Sequence, residues 1–369
     1  MSVTLRDKFY GCICGAHIGS AMGAPVKGWP CEKTQEFYGT LDKLVPYEHY
    51  NNGWKREAGT TEDGVERQKL IISAIIEKGG RVNAEDVRRS WVRNTNPQAA
   101  GNISDRFEGD LYGIAKSIVP ARDIGRYCDY ANLATFAASA HPIGLINTGD
   151  IPAVIDDVLE VGQLYHKGKT RAMRWSCVVG VGIAMATKQD ATVDSVLEAL
   201  FDNLNERAGF MGEEENHADY AGMYLIDELK CALELTAGCK DHRGICNVLQ
   251  YMYRGVAMPY SMSFANEVVT KGVCVFRMCG GNVEKAIVTA VNLGRDSSGI
   301  ASVAAGLSGA LSGAGSIPGD WIEQVDAATG RNPFTNSKRT LRECADGLYG
   351  AFQNKLDNYC RYAADMDIE

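Results

Sequence analysis

The sequence predicts an all-α protein, a compact helical bundle forming a single domain over residues 1–369, and three observations lead there. Apolar side chains recur at three- and four-residue spacing in segment after segment, the pattern of helices that bury one face. Apolar/polar alternation, which marks half-buried strands, is scarce. No Pro/Ser-rich linker, charge block or shift of composition divides the chain, so one large domain is the simpler organisation for its length.

Residues 66–78 carry the clearest helical pattern, and Gly79-Gly80 ends it. Asn83-Ala84-Glu85-Asp86 opens the next helix with a capping residue and early acids. The segment 93–110, with Asn94, Asn96-Pro97 and Gly101-Asn102, is rich in turn formers and predicts a loop at the edge of a cleft. Helical spacing returns around 151–166, 173–187, 192–207, 217–236, 243–254, 264–278, 282–292 and 339–361. The small residues of 301–310 suit a helix that packs closely on a neighbour, and they lack the bulk and length of a membrane span.

Composition narrows the function classes. The net charge of −8 and the absence of a basic cluster with interleaved aromatics argue against a nucleic-acid partner. No apolar stretch reaches membrane-spanning length free of charge or abundant glycine, so no membrane partner is expected. The 12 cysteines are scattered, and no signal segment opens the chain, which together predict a cytoplasmic, reducing location. Cys12, Cys14, Cys177, Cys231, Cys274 and Cys279 read as buried free thiols, since none has zinc spacing. The acidic run Glu213 to Asp219 reads as a solvated helix start in preference to a metal site.

Two short motifs hold the chemistry. Thr61-Glu62-Asp63 and Asp296-Ser297-Ser298 each place hydroxyl and carboxylate oxygens at the start of a helical run, where unpaired N–H groups and the helix dipole favour negative charge. Each alone is compatible with an ordinary N-cap. Should the two helix starts converge, their oxygens would make a pocket of the kind Mg²⁺ or Ca²⁺ prefers.

The run Gly11 to Val26 resembles the opening helix of the ADP-ribosylglycohydrolase family. The stretch Gly280 to Ala314, with Asn292-Leu293-Gly294, Asp296 and a small-residue helix ending at Ile317-Pro318, is similar to that family's C-terminal signature. Thr61-Glu62-Asp63 falls where the family carries Thr-Asp-Asp, and Pro142 to Leu145 resembles its central apolar turn. The resemblance implies the same all-α architecture and a binuclear Mg²⁺ site, part of whose ligand set is altered here. Thr61, Asp63 and Asp296 match, and Glu62 replaces an aspartate conservatively. Ser298 stands for the second aspartate, Gly299 for the final hydroxyl, Lys27 for a glutamate and Ser20 for an aspartate. Fewer anionic ligands should hold fewer dications, so at most one Mg²⁺ is expected, on Thr61, Glu62, Asp63 and Asp296. The alternative is a metal-free site in which Lys27, joined by Arg295, supplies the positive charge; Lys27 is equally compatible with an exposed residue before the Gly28-Trp29-Pro30 turn.

The resemblance therefore implies a hydrolase cleaving an N- or O-ribosyl bond, on an ADP-ribosylated protein or a smaller ribosyl compound. Asp63, Asp296 and Glu62 are the candidates for water activation, since such cleavage develops positive charge at the anomeric carbon and needs carboxylates around it, and Lys27 is a further catalytic candidate as the source of positive charge in a metal-free site. His166, His141, Asn132 and Ser298 are candidates for substrate binding, and Asn102 is a weaker one. The other function class is a catalytically silent relative that binds a ribosyl or nucleotide ligand or serves a structural role.

Overall fold

The computed structural model describes residues 3–48, 55–96, 106–128, 133–134, 136–168, 170–205, 223–253, 262–333, 335 and 337–366, with backbone alone at 106–109. In chain order the helices are α1 (Leu5–Gly23), α2 (Cys31–Tyr38), α3 (Asp63–Lys78), α4 (Ala84–Asn94), α5 (Arg106–Ala115) and α6 (His141–Ile146). There follow α7 (Ile151–Gly162), α8 (Arg171–Ala186), α9 (Val193–Asn203), α10 (Leu225–Leu235) and α11 (His242–Met252). The chain closes with α12 (Ala265–Cys279), α13 (Val283–Val291), α14 (Ser297–Ser312), α15 (Gly319–Arg331) and α16 (Leu341–Asp365). The described strands are two short ones, β1 (Tyr47–Glu48) and β2 (Lys55–Arg56), paired antiparallel with Tyr47 opposite Arg56. The fold is all-α, as expected.

The closest packing in the bundle is between α1 and α14, and its cause lies in the residues. Gly11, Gly15, Gly19 and Gly23 recur every fourth position along one face of α1. A Cβ at Gly15 would lie 2.2 Å from the Ala305 carbonyl oxygen, one at Gly19 2.6 Å from that of Ala301, and one at Gly23 2.6 Å from the Ser298 nitrogen. At the other end a Cβ at Gly11 would meet the Gly309 oxygen at 2.6 Å. The two helices thus run antiparallel with their backbones in contact, which side chains of any size would prevent. The consequence for function is positional: the end of α1 is held against the start of α14.

The loops that leave these helices interlock. After Lys27 the chain turns through Gly28, whose N–H donates to the Arg295 carbonyl at 2.7 Å, while the Arg295 N–H donates to that of Trp29 at 2.7 Å. Gly294 (φ +68°) is required here, because a Cβ would lie 2.4 Å from the Trp29 oxygen. Arg295 follows at φ +57°, the one non-glycine residue with positive φ among those described, and a bidentate pair with fully buried Glu267 (2.6 and 2.7 Å) holds it there. Asn292 secures the same region by donating to and accepting from the backbone of Leu41, both at 2.9 Å.

The helices expected from spacing are present among the described residues, with α3 starting three residues earlier than the apolar pattern and α10 starting at Leu225; residues 217–222 of the expected 217–236 run lie outside the described residues. The predicted loop over 93–110 is corrected at both ends, α4 running to Asn94 and α5 beginning at Arg106, while residues 97–105 lie outside the described residues. Helices α2, α6 and α15 were not anticipated; α2 and α6 are short enough (8 and 6 residues) to give little periodic signal. No helix among the described residues is long and apolar enough to cross a membrane.

Candidate active site

Helices α1, α3 and α14 bring their ends to one cleft. Its walls include Ser20, Lys27, Glu62, Asp63, Arg67, Asp296, Ser298 and Ser302, and it encloses about 540 Å³ of space, open solvent included.

Glu62 occupies the cap position of α3 without capping it, for its side chain makes no bond to the helix start. Its N–H donates instead to Ser20 Oγ on α1 at 3.1 Å. The carboxylate is thereby released to a buried cluster, where Arg56 and the Tyr47 hydroxyl (2.9 Å) both donate to Oε1. Burial, followed by the Glu62 charge, pushes the Tyr47 phenol well above its ordinary pKa.

Lys27 Nζ lies between the two acids of this motif, 3.5 Å from Glu62 Oε2 and 3.4 Å from Asp63 Oδ1. Its side chain is 8% exposed, so the alternative of a solvent-exposed turn lysine does not describe it. Asp63 Oδ2 accepts from Arg67 at 3.0 Å, one helical turn on. Burial would raise the Asp63 pKa, but Lys27 first and then Arg67 overrule it and hold the carboxyl well below the usual range.

Asp296 is a true N-cap, Oδ1 accepting from the Gly299 N–H at 3.2 Å and from the Ser298 hydroxyl at 3.3 Å. Its Oδ2 makes no hydrogen bond among the described residues. Ser297 donates to the Gly23 carbonyl at 2.8 Å and so locks α14 to the end of α1.

The remaining sequence candidates are placed unevenly. Thr61 is absent from the cleft walls; its hydroxyl donates to Glu66 at 2.5 Å and accepts from Lys69 at 3.2 Å in a buried network that Asn332 and Thr335 complete. His141 stands behind the cleft wall, its Nδ1 3.1 Å from Gln68 Nε2 and its Nε2 3.0 Å from the Ser302 carbonyl. Since that oxygen can only accept, Nε2 carries the proton, and burial lowers the ring's pKa to about 4. His166 is buried with neither ring nitrogen hydrogen-bonded among the described residues; burial first, then Arg67, lowers it to about 3. Neither histidine is among the cleft-lining residues. Arg295, expected to join Lys27, turns away to Glu267. Asn132, Asn102 and the acidic run Glu213 to Asp219 lie outside the described residues, although Leu133 and Ala134 belong to the wall.

Arg67, Arg56 and Tyr47 were missed. Arg67 was detectable, being four residues after Asp63 on an expected helix face. Nothing local marks Tyr47 and Arg56, which act through a two-residue strand pairing.

The resemblance to a metal-dependent family can be tested on this donor set. Among the described residues no three His, Cys, Asp or Glu side chains converge as a cation's ligands. Glu62 and Asp63 are already paired with three cations, Lys27, Arg56 and Arg67, and Thr61 is engaged elsewhere. As arranged, the cleft does not fit a divalent cation.

The glycine-packed first helix and the small-residue late helix of this all-α bundle converge on one polar cleft. The ADP-ribosylglycohydrolase sequence profile matches residues 1–358, and the chain belongs to that family, whose members are hydrolases of ADP-ribosylated substrates. An uncharacterized protein of Archaeoglobus fulgidus is 23% identical over 348 residues, covering 94% of this chain and 97% of that one. A solved structure titled an ADP-ribosylglycohydrolase-related protein complex matches with a TM-score of 0.63 at 15% identity, over 95% of this chain and 98% of the other. That likeness concerns the fold alone.

Proposed function

We propose that this protein hydrolyses an N- or O-ribosyl bond of an ADP-ribosylated protein or a smaller ribosyl compound, with ammonium and guanidinium groups in place of divalent metal. The observation that supports this reading is Lys27, bracketed at 3.4–3.5 Å by Asp63 and Glu62 within the cleft.

Cleavage of a ribosyl bond develops positive charge at the anomeric carbon, which carboxylates held ionised stabilise without further proton transfer. Asp63 suits that role because Lys27 and Arg67 keep it charged. It is a weak base for the same reason. Asp296 suits water activation better, since its Oδ1 is used by the helix start while Oδ2 remains for the cleft. Ser298 and Ser20 offer hydroxyls to ribose oxygens from the two flanking helices. Lys27, an N–H donor inside the same walls, suits an oxygen of the substrate or leaving group.

The test is a thermal-shift series with ADP-ribose, ribose and adenosine, run with chelator and with Mg²⁺, followed by product analysis on an N-ribosylated arginine peptide and an O-ribosylated serine peptide. Stabilisation by ADP-ribose together with release of free sugar supports hydrolysis. Stabilisation without release on either peptide would favour the catalytically silent binder, for which full neutralisation of Glu62 and Asp63 is the observation in hand.

A further inference from the structure

On the far side of the Lys27 turn lies a second cavity, enclosing about 890 Å³ of space with open solvent included, and two of its walls are thiols. Cys31 is the first residue of α2, directly after the Gly28-Trp29-Pro30 turn. Cys246 sits on the second turn of α11, 215 residues away in sequence, with its Sγ 3.5 Å from the Leu293 carbonyl oxygen. Both are half-buried and line this one cavity, close enough for each thiol to act on the other. Lys271 and Arg295 line the same cavity and Arg243 is close enough to act on Cys31.

The setting differs from that of the other sulfurs. Cys12, Cys14, Cys177, Cys274 and Cys344 are buried in the apolar core, which raises their pKa and keeps them inert. Cys31 is lowered, first by Cys246 and then by Lys271 and Arg243, against the opposing effects of burial and of the neighbouring Glu32 carboxylate, which lines the same cavity. The uncapped start of α2, where Pro30 supplies no side-chain acceptor, adds the positive end of a helix dipole. Cys246 is raised by Cys31 and by burial, so it stays the proton-bearing member of the pair.

We propose that Cys31 and Cys246 form a reversible intramolecular disulfide, an oxidation site for a small peroxide that staples the Lys27 turn to α11. The Cys31 thiolate attacks one peroxide oxygen; an S–O bond forms, the O–O bond breaks, and the departing hydroxide takes a proton to become water. The Cys246 sulfur then attacks the Cys31 sulfenic acid; the S–S bond forms, the S–O bond breaks, and the oxygen leaves as a second water with the Cys246 proton. Two thiols and one hydrogen peroxide give one disulfide and two waters, the sulfurs losing two electrons in all and the peroxide gaining them.

The staple acts on the site through backbone already described. Cys31 adjoins the Pro30–Gly294 bridge, and Cys246 points at Leu293 on the opposing strand of that interlock. Both loops leading to Lys27 and Asp296 would therefore be constrained by one bond.

The full-length protein is treated with one equivalent of hydrogen peroxide, alkylated, digested without reductant and mapped by mass spectrometry. Hydrogen exchange is followed in the oxidised and reduced forms. The count of alkylatable thiols should fall by two from 12, with a Cys31–Cys246 linked peptide that dithiothreitol removes, and exchange should slow at 28–31 and 293–295. Cys246→Ser should stop at the Cys31 sulfenic acid, trapped by dimedone, and Cys31→Ser should leave Cys246 alkylatable. Retention of both thiols at that dose, or a first disulfide through exposed Cys360, would overturn the proposal. None of these measurements requires turnover, so they stand apart from the hydrolase assignment.

Discussion

Replacing Lys27 by alanine removes the one cation shared by Glu62 and Asp63. At an effective dielectric near 20, an ion pair at 3.4 Å is worth about 5 kcal/mol before desolvation is subtracted. Breaking a buried pair by deleting one member costs about 3–5 kcal/mol. Arg67 still holds Asp63 and Arg56 still holds Glu62, so neither acid is left unpaired, the loss falls to or just below the bottom of that range, and Lys27→Ala should lose roughly 2–3 kcal/mol at neutral pH. The pH dependence has a definite sign. Asp63 is depressed in the folded state, so its contribution is present above the unfolded value of 3.8 and is lost as pH falls through the folded one. Without Lys27 that depression shrinks, and the stability gap between the two proteins should be widest at pH 7 and narrow as the variant's Asp63 protonates. Urea denaturation followed by circular dichroism from pH 7 to about 3.5 measures both quantities. A gap below about 0.5 kcal/mol at pH 7, or one that widens in acid, would refute the assignment of Lys27 as the counter-ion of this acid pair.

Three further outcomes are expected. Lys27→Glu should bind Mg²⁺ more tightly than the wild type by isothermal titration, because an ammonium becomes a carboxylate between Glu62 and Asp63; equal affinities would show that residue 27 does not govern metal binding. His166→Phe should flatten the acid side of the stability profile: a histidine lowered to about 3 costs about 1.4 kcal/mol per pH unit as pH falls from its unfolded value near 6.5, and unchanged slopes would contradict its burial as the neutral form. Gly294→Ala should destabilise by about 2 kcal/mol or more and weaken ligand binding in the cleft, since φ +68° and a 2.4 Å approach to the Trp29 oxygen both exclude a Cβ; wild-type stability would mean the interlock yields freely.

Much of this molecule was legible in its sequence because its signals are local. The spacing in 66–78 and the Gly79 stop give α3, whose C-cap Gly79 has left-handed φ +69°. The small residues of 301–310 announce close packing, although their partner face, glycine at every fourth position of α1, was readable and went unread as a packing device. The convergence of Lys27, Glu62, Asp63, Asp296 and Ser298 on one cleft follows from that packing. What escaped were arrangements fixed only by tertiary contact. Thr61, two residues before α3, is held by its hydrogen bonds with Glu66 and Lys69, residues on the helix that follows it. Arg295 turns to Glu267 because its left-handed backbone points it there. Tyr47 and Arg56 reach Glu62 through a strand pair too short to show alternation.

Hydrolysis without a divalent ion is decided by single-turnover release of sugar from a ribosylated peptide in excess chelator. The release rate should be the same with EDTA as with Mg²⁺, and Asp296→Asn should lose most of it. Release abolished by EDTA and restored by Mg²⁺ would contradict hydrolysis without the ion.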